Sequence, residues 1–119
     1  PELGDLRTRI PPVGVPWLVL GGLVFAMANA LAEEALYRGV LLYALDAALG
    51  AGWLAVGLQA AAFGLLHIHG FPRGWIGVGL AFVYGLMMGA IRRMSGGLLA
   101  PWCAHVLVDL TIVAILVAL

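Results

Sequence analysis

The chain contains no lysine, and only 10% of its residues are charged, with zero formal net charge. Neutralising phosphates requires a basic face, so nucleic acid is excluded as a partner. One cysteine, Cys103, rules out an internal disulfide and any cysteine-rich metal site. Placed in an apolar helix, it reads as a small buried side chain. No internal repeat of the kind transporters use is visible, which argues against a proton- or ion-coupled carrier. Arg7 and Arg9 precede an apolar run, but that run is too long for a leader and has no small-residue cleavage site before Glu33. No signal peptide is therefore expected. The chain opens on Pro1 rather than a methionine, as the trimmed core of a longer protein would.

What is present is apolar. A hydrophobic fraction of 64% over 119 residues, with mean hydropathy +1.09, describes a single polytopic membrane domain. Residues 1–12 read as a polar tail or loop and residues 13–119 as the membrane core. A first helix is expected from Val15 or Pro16, since proline is tolerated in a first turn. Its uncharged stretch to Ala32 covers about 25 Å at ~1.5 Å per residue. The apolar pattern then continues through Glu33–Arg38 to Leu49, as one helix or as two joined at a kink near Gly39. Either exceeds a ~30 Å hydrocarbon core and must tilt, bend or protrude. Gly50-Ala51-Gly52 is a turn. A short second span runs from Trp53 to His67 or Ile68 and ends in the breaker stretch His69–Gly74. The third span, Trp75–Met94, closes on Arg92-Arg93. The fourth runs from Leu98, with Pro101 in its first turn, to Leu119. The expected fold is an all-α polytopic membrane bundle of about four transmembrane helices, seated in the lipid bilayer of a bacterial or archaeal cell. Trp53, Trp75 and Trp102 fall near span ends, where aromatic belts form. Arg7, Arg9 and Arg73 on one side outnumber Arg92 and Arg93 on the other, a narrow bias toward an N-terminus inside.

Small residues recur every four positions: Gly77, Ala81, Gly85 and Gly89 in the third span, and Gly22, Ala26 and Ala30 in the first. Such ladders let helix backbones approach closely in lipid. Packing within the bundle is the expected use, ahead of dimerisation.

Charges in the middle of an apolar span cost at least roughly 2.5–3.5 kcal/mol each, and by default they face the protein interior and mark function. The first span carries Asn29, Glu33, Glu34 and Arg38. The second carries Gln59 and His67, and the fourth His105, Asp109 and Thr111. The third has no such group before its terminal arginines and reads as apolar filler. Glu34 and Arg38 stand four apart with the acid first, the better order for a helical ion pair. Glu33 is rotated about 100° from Glu34 and keeps no local counter-charge, the condition of a general base. His67 shares a face with Phe63, and His105 shares one with Asp109. Converging from three helices, these groups can activate a water or hold a divalent metal that does so. Asp46, Arg92 and Arg93 lie at span ends and read as solvated or snorkelling. His69 reads as a loop or interfacial residue.

Three motifs stand in order: Glu33-Glu34-Ala-Leu-Tyr-Arg38, Phe63-Gly-Leu-Leu-His67 and His105-Val-Leu-Val-Asp109. They resemble the Glu-Glu-x-x-x-Arg, Phe-x-x-x-His and His-x-x-x-Asn/Asp motifs of the CPBP intramembrane proteases. That family includes the CAAX-processing Ras-converting enzyme and bacterial proteins of bacteriocin self-immunity (Abi). The resemblance covers about residues 15–115. It implies an endopeptidase acting on a membrane-associated or lipidated protein or peptide, with no nucleic-acid partner. It also implies that Glu33 and His67 activate the water, His105 and Asp109 support the oxyanion, and Glu34 and Arg38 keep the site in shape. Tyr37 and Phe63 are candidates for a substrate groove. Two versions follow: a glutamate-type enzyme that needs no cofactor, or a metalloprotease with a divalent ion such as zinc at Glu33, His67, His105 and Asp109. A non-catalytic immunity or scaffold protein could use the same cavity to bind a peptide. An ionised Asp109 cannot donate to an oxyanion as asparagine would.

Overall fold

The computed structural model describes residues 14–118, so the polar tail expected at residues 1–12 lies outside the described residues. The described chain is all helical and measures 50 × 29 × 17 Å along its principal axes. Four helices follow one another: α1 (Val15–Leu49), α2 (Trp53–Leu66), α3 (Trp75–Ser95) and α4 (Leu99–Ala118). α1 and α3 are long and apolar enough to cross a membrane, whereas α2, at 14 residues, is short.

The exterior is the apolar part. Trp17, Val19, Phe25, Leu31, Leu36 and Val40 of α1 face outward, while Glu34 and Arg38 of the same helix are each 1% exposed. This inverts the pattern of a water-soluble globule, and its physical cause is a solvent of hydrocarbon. The protein is a helical membrane bundle.

Helix α1 does not break at Gly39. An α-helix over Val15–Glu34 passes into a π-helical segment, Ala35–Leu41, and back to an α-helix over Leu42–Leu49. The Leu42 N–H bonds the Tyr37 carbonyl, five residues back. The wider turn shifts the register so that neighbouring Tyr37 and Arg38 are both buried on the inner side together with Glu34. Segments of this kind recur at functional sites because they re-aim side chains without interrupting the helix. Of the two alternatives, one helix or two joined at Gly39, the chain takes the single helix, with a change of winding in place of a kink.

The small-residue ladders are used inside the bundle. α2 packs most extensively on α3, and α1 on α4. A Cβ at Gly64 would lie 2.8 Å from the Val78 carbonyl oxygen, and one at Gly85 would lie 3.0 Å from the Ala60 Cα. Gln59, fully buried in this seam, donates to the Val56 carbonyl at 3.1 Å and across to the Gly85 carbonyl at 2.8 Å. On the other side, the Gly22 position faces Val113, and Trp102 donates its indole N–H to the Met27 carbonyl at 3.2 Å. Trp102 therefore ties α4 to α1, while Trp53 and Trp75 stay exposed at helix starts.

Two expectations are corrected. Cys103 is exposed on the outward side of α4 rather than buried. Asp46 and Arg93 are not separate snorkelling groups. The Arg93 guanidinium forks the Asp46 carboxylate through both Nη atoms and also reaches the Gly52 carbonyl at 3.1 Å. That contact locks the end of α1, the Gly50–Gly52 turn and the end of α3 together. Gly96, left-handed at φ 69°, then terminates α3 with its N–H on the Arg92 carbonyl.

Candidate active site

A cavity of about 270 Å³ opens between α1, α3 and α4, with the end of α2 and the following turn forming one wall. Glu33, His67, His105 and Asp109 all line it. Four residues scattered through three sequence motifs thus line one cavity in an otherwise apolar molecule.

His67 closes α2, and its Nδ1 lies 2.7 Å from the Phe63 carbonyl one turn earlier. A carbonyl only accepts, so Nδ1 is the donor in this contact and Nε2 is the ring nitrogen left without a hydrogen-bond partner. His67 and Glu33 both line the cavity.

His105 sits among three carboxylates. Its Nδ1 is 2.7 Å from Glu34 Oε1, while Nε2 is 3.7 Å from Glu33 Oε2 and 3.6 Å from Asp109 Oδ1. The first is a short hydrogen bond; the other two are electrostatic neighbours beyond hydrogen-bond range. Glu34 Oε1 also accepts from Arg38 Nη1 at 3.0 Å. The pair that reads as self-neutralising along one helix therefore has a second partner, His105, from α4. The Arg38 guanidinium carbon stands 4.6 Å from the centre of the Phe63 ring, a cation–π contact that helps hold a buried charge.

Asn29, one turn before Glu33, donates from Nδ2 to Asp109 Oδ2 at 3.0 Å. Asp109 is thereby oriented from α1. A continuous polar chain runs Asn29–Asp109–His105–Glu34–Arg38, and Glu33 faces the cavity beside it.

The two groove candidates separate. Phe63 lines the cavity; Tyr37 does not. Tyr37 is buried behind it, its ring edge-on to Phe63 at 4.9 Å. In its place α3 supplies Tyr84, which lines the cavity with its ring edge-on to His105 at 5.2 Å. Its hydroxyl is buried and has no hydrogen-bond partner. The reading of α3 as apolar filler is corrected by this residue. The available signal was a phenol on a helix whose other cavity-lining positions, Gly77, Leu80 and Ala81, carry no polar side chain. Thr111 lies outside the site, bonded back to the Leu107 carbonyl on an exposed face.

A family model for type II CAAX prenyl endopeptidase Rce1-like proteins matches residues 15–111. The chain belongs to that family. Its kind of function is accordingly that of a CAAX-type intramembrane protease. No curated protein and no solved structure matches.

In this Rce1-like chain the candidate metal ligands can be tested by geometry. A zinc centre needs three or four donors converging at about 2.0–2.2 Å. Glu33, His67, His105 and Asp109 do not form such a group, and among the described residues no three His, Cys, Asp or Glu side chains do. Nδ1 of each histidine is already engaged, and one Asp109 oxygen is held by Asn29.

Proposed function

We propose that this chain hydrolyses a peptide bond of a membrane-associated or lipidated, CAAX-like protein or peptide, using a water activated by Glu33 and His67. One observation carries the reading: Glu33, His67, His105 and Asp109 line a single cavity in a lipid-facing bundle. A water placed between Glu33 and His67 donates one hydrogen to the carboxylate and the other to His67 Nε2, leaving its lone pair free. Glu33 takes the proton as the oxygen adds to the substrate carbonyl carbon. The C–N bond then breaks, and the same proton passes to the departing amine. His105, held on Glu34 through Nδ1, presents Nε2 to the cavity; protonated there, it donates to the developing oxyanion. Asp109 accepts from Asn29 and faces His105, so its role is to orient that ring rather than to donate. Glu34 and Arg38 fix the ring from the other side.

The test is cleavage of a farnesylated peptide by purified protein in liposomes. Glu33→Gln should lower turnover by about 10²–10⁴-fold, with membrane abundance and thermal unfolding unchanged. Cleavage by this variant at the wild-type rate would sink the hydrolytic reading. Peptide binding without cleavage by the wild type would point instead to the non-catalytic immunity or scaffold role. Exhaustive chelation should leave activity intact. Activity lost on chelation and restored by zinc would replace the glutamate-type mechanism with the metal-dependent one.

A further inference from the structure

A second polar cavity, of about 60 Å³, lies away from the first and is lined by Arg38, Leu42, Tyr43, Asp46, Arg92 and Arg93. It sits toward the end of the bundle where α1 and α3 finish. One water needs roughly 10–15 Å³ of such space, so there is room for a tetrahedral oxyanion.

The charges around it do not cancel. Arg38 is paired with Glu34 and Arg93 with Asp46, but Arg92 has no ion-pair partner among the described residues. The hydrogen bonds do not close either. Arg38 Nε and Nη2, Arg92 Nε and Arg93 Nε are all buried donors without partners. Buried polar groups are rarely left this way, and several on one cavity point to waters or an anion held there. Snorkelling could explain a helix-end arginine with its head in water. It does not explain Arg38, which is 1% exposed and still has two unpaired nitrogens. An excess of positive charge together with clustered guanidinium donors matches a group with several anionic acceptor oxygens, for which arginine's planar fork is suited.

We infer that the pocket formed by Arg38, Arg92 and Arg93 binds the phosphate group of an anionic ligand, an anionic phospholipid headgroup or free phosphate. Basic pockets between transmembrane helices hold lipid headgroups on the same chemistry. The site does not depend on the peptidase reading, since none of its residues faces the first cavity. It does adjoin that site, because Arg38 Nη1 holds the same Glu34 oxygen that His105 uses.

The experiment is native mass spectrometry of the purified full chain, titrated separately with dioleoyl-phosphatidylglycerol, dioleoyl-phosphatidylcholine and inorganic phosphate. Phosphatidylglycerol should bind more tightly than phosphatidylcholine. Arg92→Gln should weaken its binding by roughly five- to ten-fold, Arg92→Lys should retain most of it, and Arg73→Gln, in the loop at the opposite end, should leave it unchanged. Inorganic phosphate binding with the same dependence on Arg92 would support the site with a soluble ligand; phosphatidylglycerol binding alone would support it with a headgroup. Equal binding of both probes by the wild type and Arg92→Gln would overturn the assignment. Because Arg92 makes no ion pair among the described residues, the variant reports on binding rather than on folding.

Discussion

His105 and Glu34 stand 71 residues apart in sequence, and His105 Nδ1 lies 2.7 Å from Glu34 Oε1. The same oxygen accepts from Arg38. Glu34 is therefore the junction between the π-wound part of α1 and the histidine of α4, as well as the counter-charge of an arginine. It sets the direction in which His105 presents its other nitrogen.

Removing that junction should be costly. Glu34→Ala leaves the buried Arg38 guanidinium uncompensated, and losing one partner of a buried pair costs about 3–5 kcal/mol. Unfolding in mild detergent, followed by helical circular dichroism, should show a loss of that order. A loss below about 1 kcal/mol would mean that Arg38 finds another counter-charge.

Tyr84 tests the opposite case. Its hydroxyl is buried and unpaired, so Tyr84→Phe deletes a group that has paid no bond back. Stability should stay level or rise by about 1 kcal/mol. A clear fall in the unfolding midpoint would show that the hydroxyl has a partner in the membrane-embedded protein, such as a cavity water.

Much of the architecture was legible because hydrocarbon imposes simple rules. Helix boundaries fell at Gly50–Gly52, at Gly74 and at Gly96-Gly97, where glycine interrupts apolar runs, while α2 ends at Leu66, short of the expected His67 or Ile68. The Glu34–Arg38 contact followed from four-residue spacing alone. What failed was whatever depended on how one helix sits against another. Nothing in the sequence gives the rotation of α4 against α1 that puts His105 on Glu34, or the approach that lets Asn29 reach Asp109. Asp46 and Arg93 each read as solvated because each lies at a span end, yet those ends are adjacent in space. Tyr84 was passed over because an aromatic on a lipid-type helix is ordinarily packing, and its exposure to the cavity is a tertiary fact. The π segment is equally tertiary: its winding carries the neighbouring Tyr37 and Arg38 inward together.

Asp46 and Arg93 carry a separate prediction. The fork between them is bidentate and about a quarter exposed, 25% on the arginine and 22% on the aspartate. Charge-assisted fork geometry favours it, while partial exposure screens it, so Asp46→Asn should cost about 1–2 kcal/mol. Reversing the pair, with Asp46→Arg and Arg93→Asp together, should recover part of that loss, whereas either reversal alone should cost more. A double variant no better than the singles would show that the Gly52 carbonyl, not Asp46, is the partner that matters.

Gly64 and Gly57 lie on the same helix and separate close packing from mere helix propensity. A Cβ at Gly64 would meet the Val78 carbonyl oxygen at 2.8 Å and the Phe82 Cβ at 3.1 Å, and a backbone carbonyl inside a helix cannot swing aside. Gly64→Ala should therefore push α2 off α3 and cost about 1–3 kcal/mol. At Gly57 an added Cβ meets nothing within 4 Å, and replacing a mid-helix glycine by alanine should stabilise by roughly 0.5–1 kcal/mol. Both are measured by the same detergent unfolding. If the two variants behave alike, the α2–α3 seam is looser than drawn. In that case the wall that carries Phe63 and His67 would not be held rigidly against the cavity.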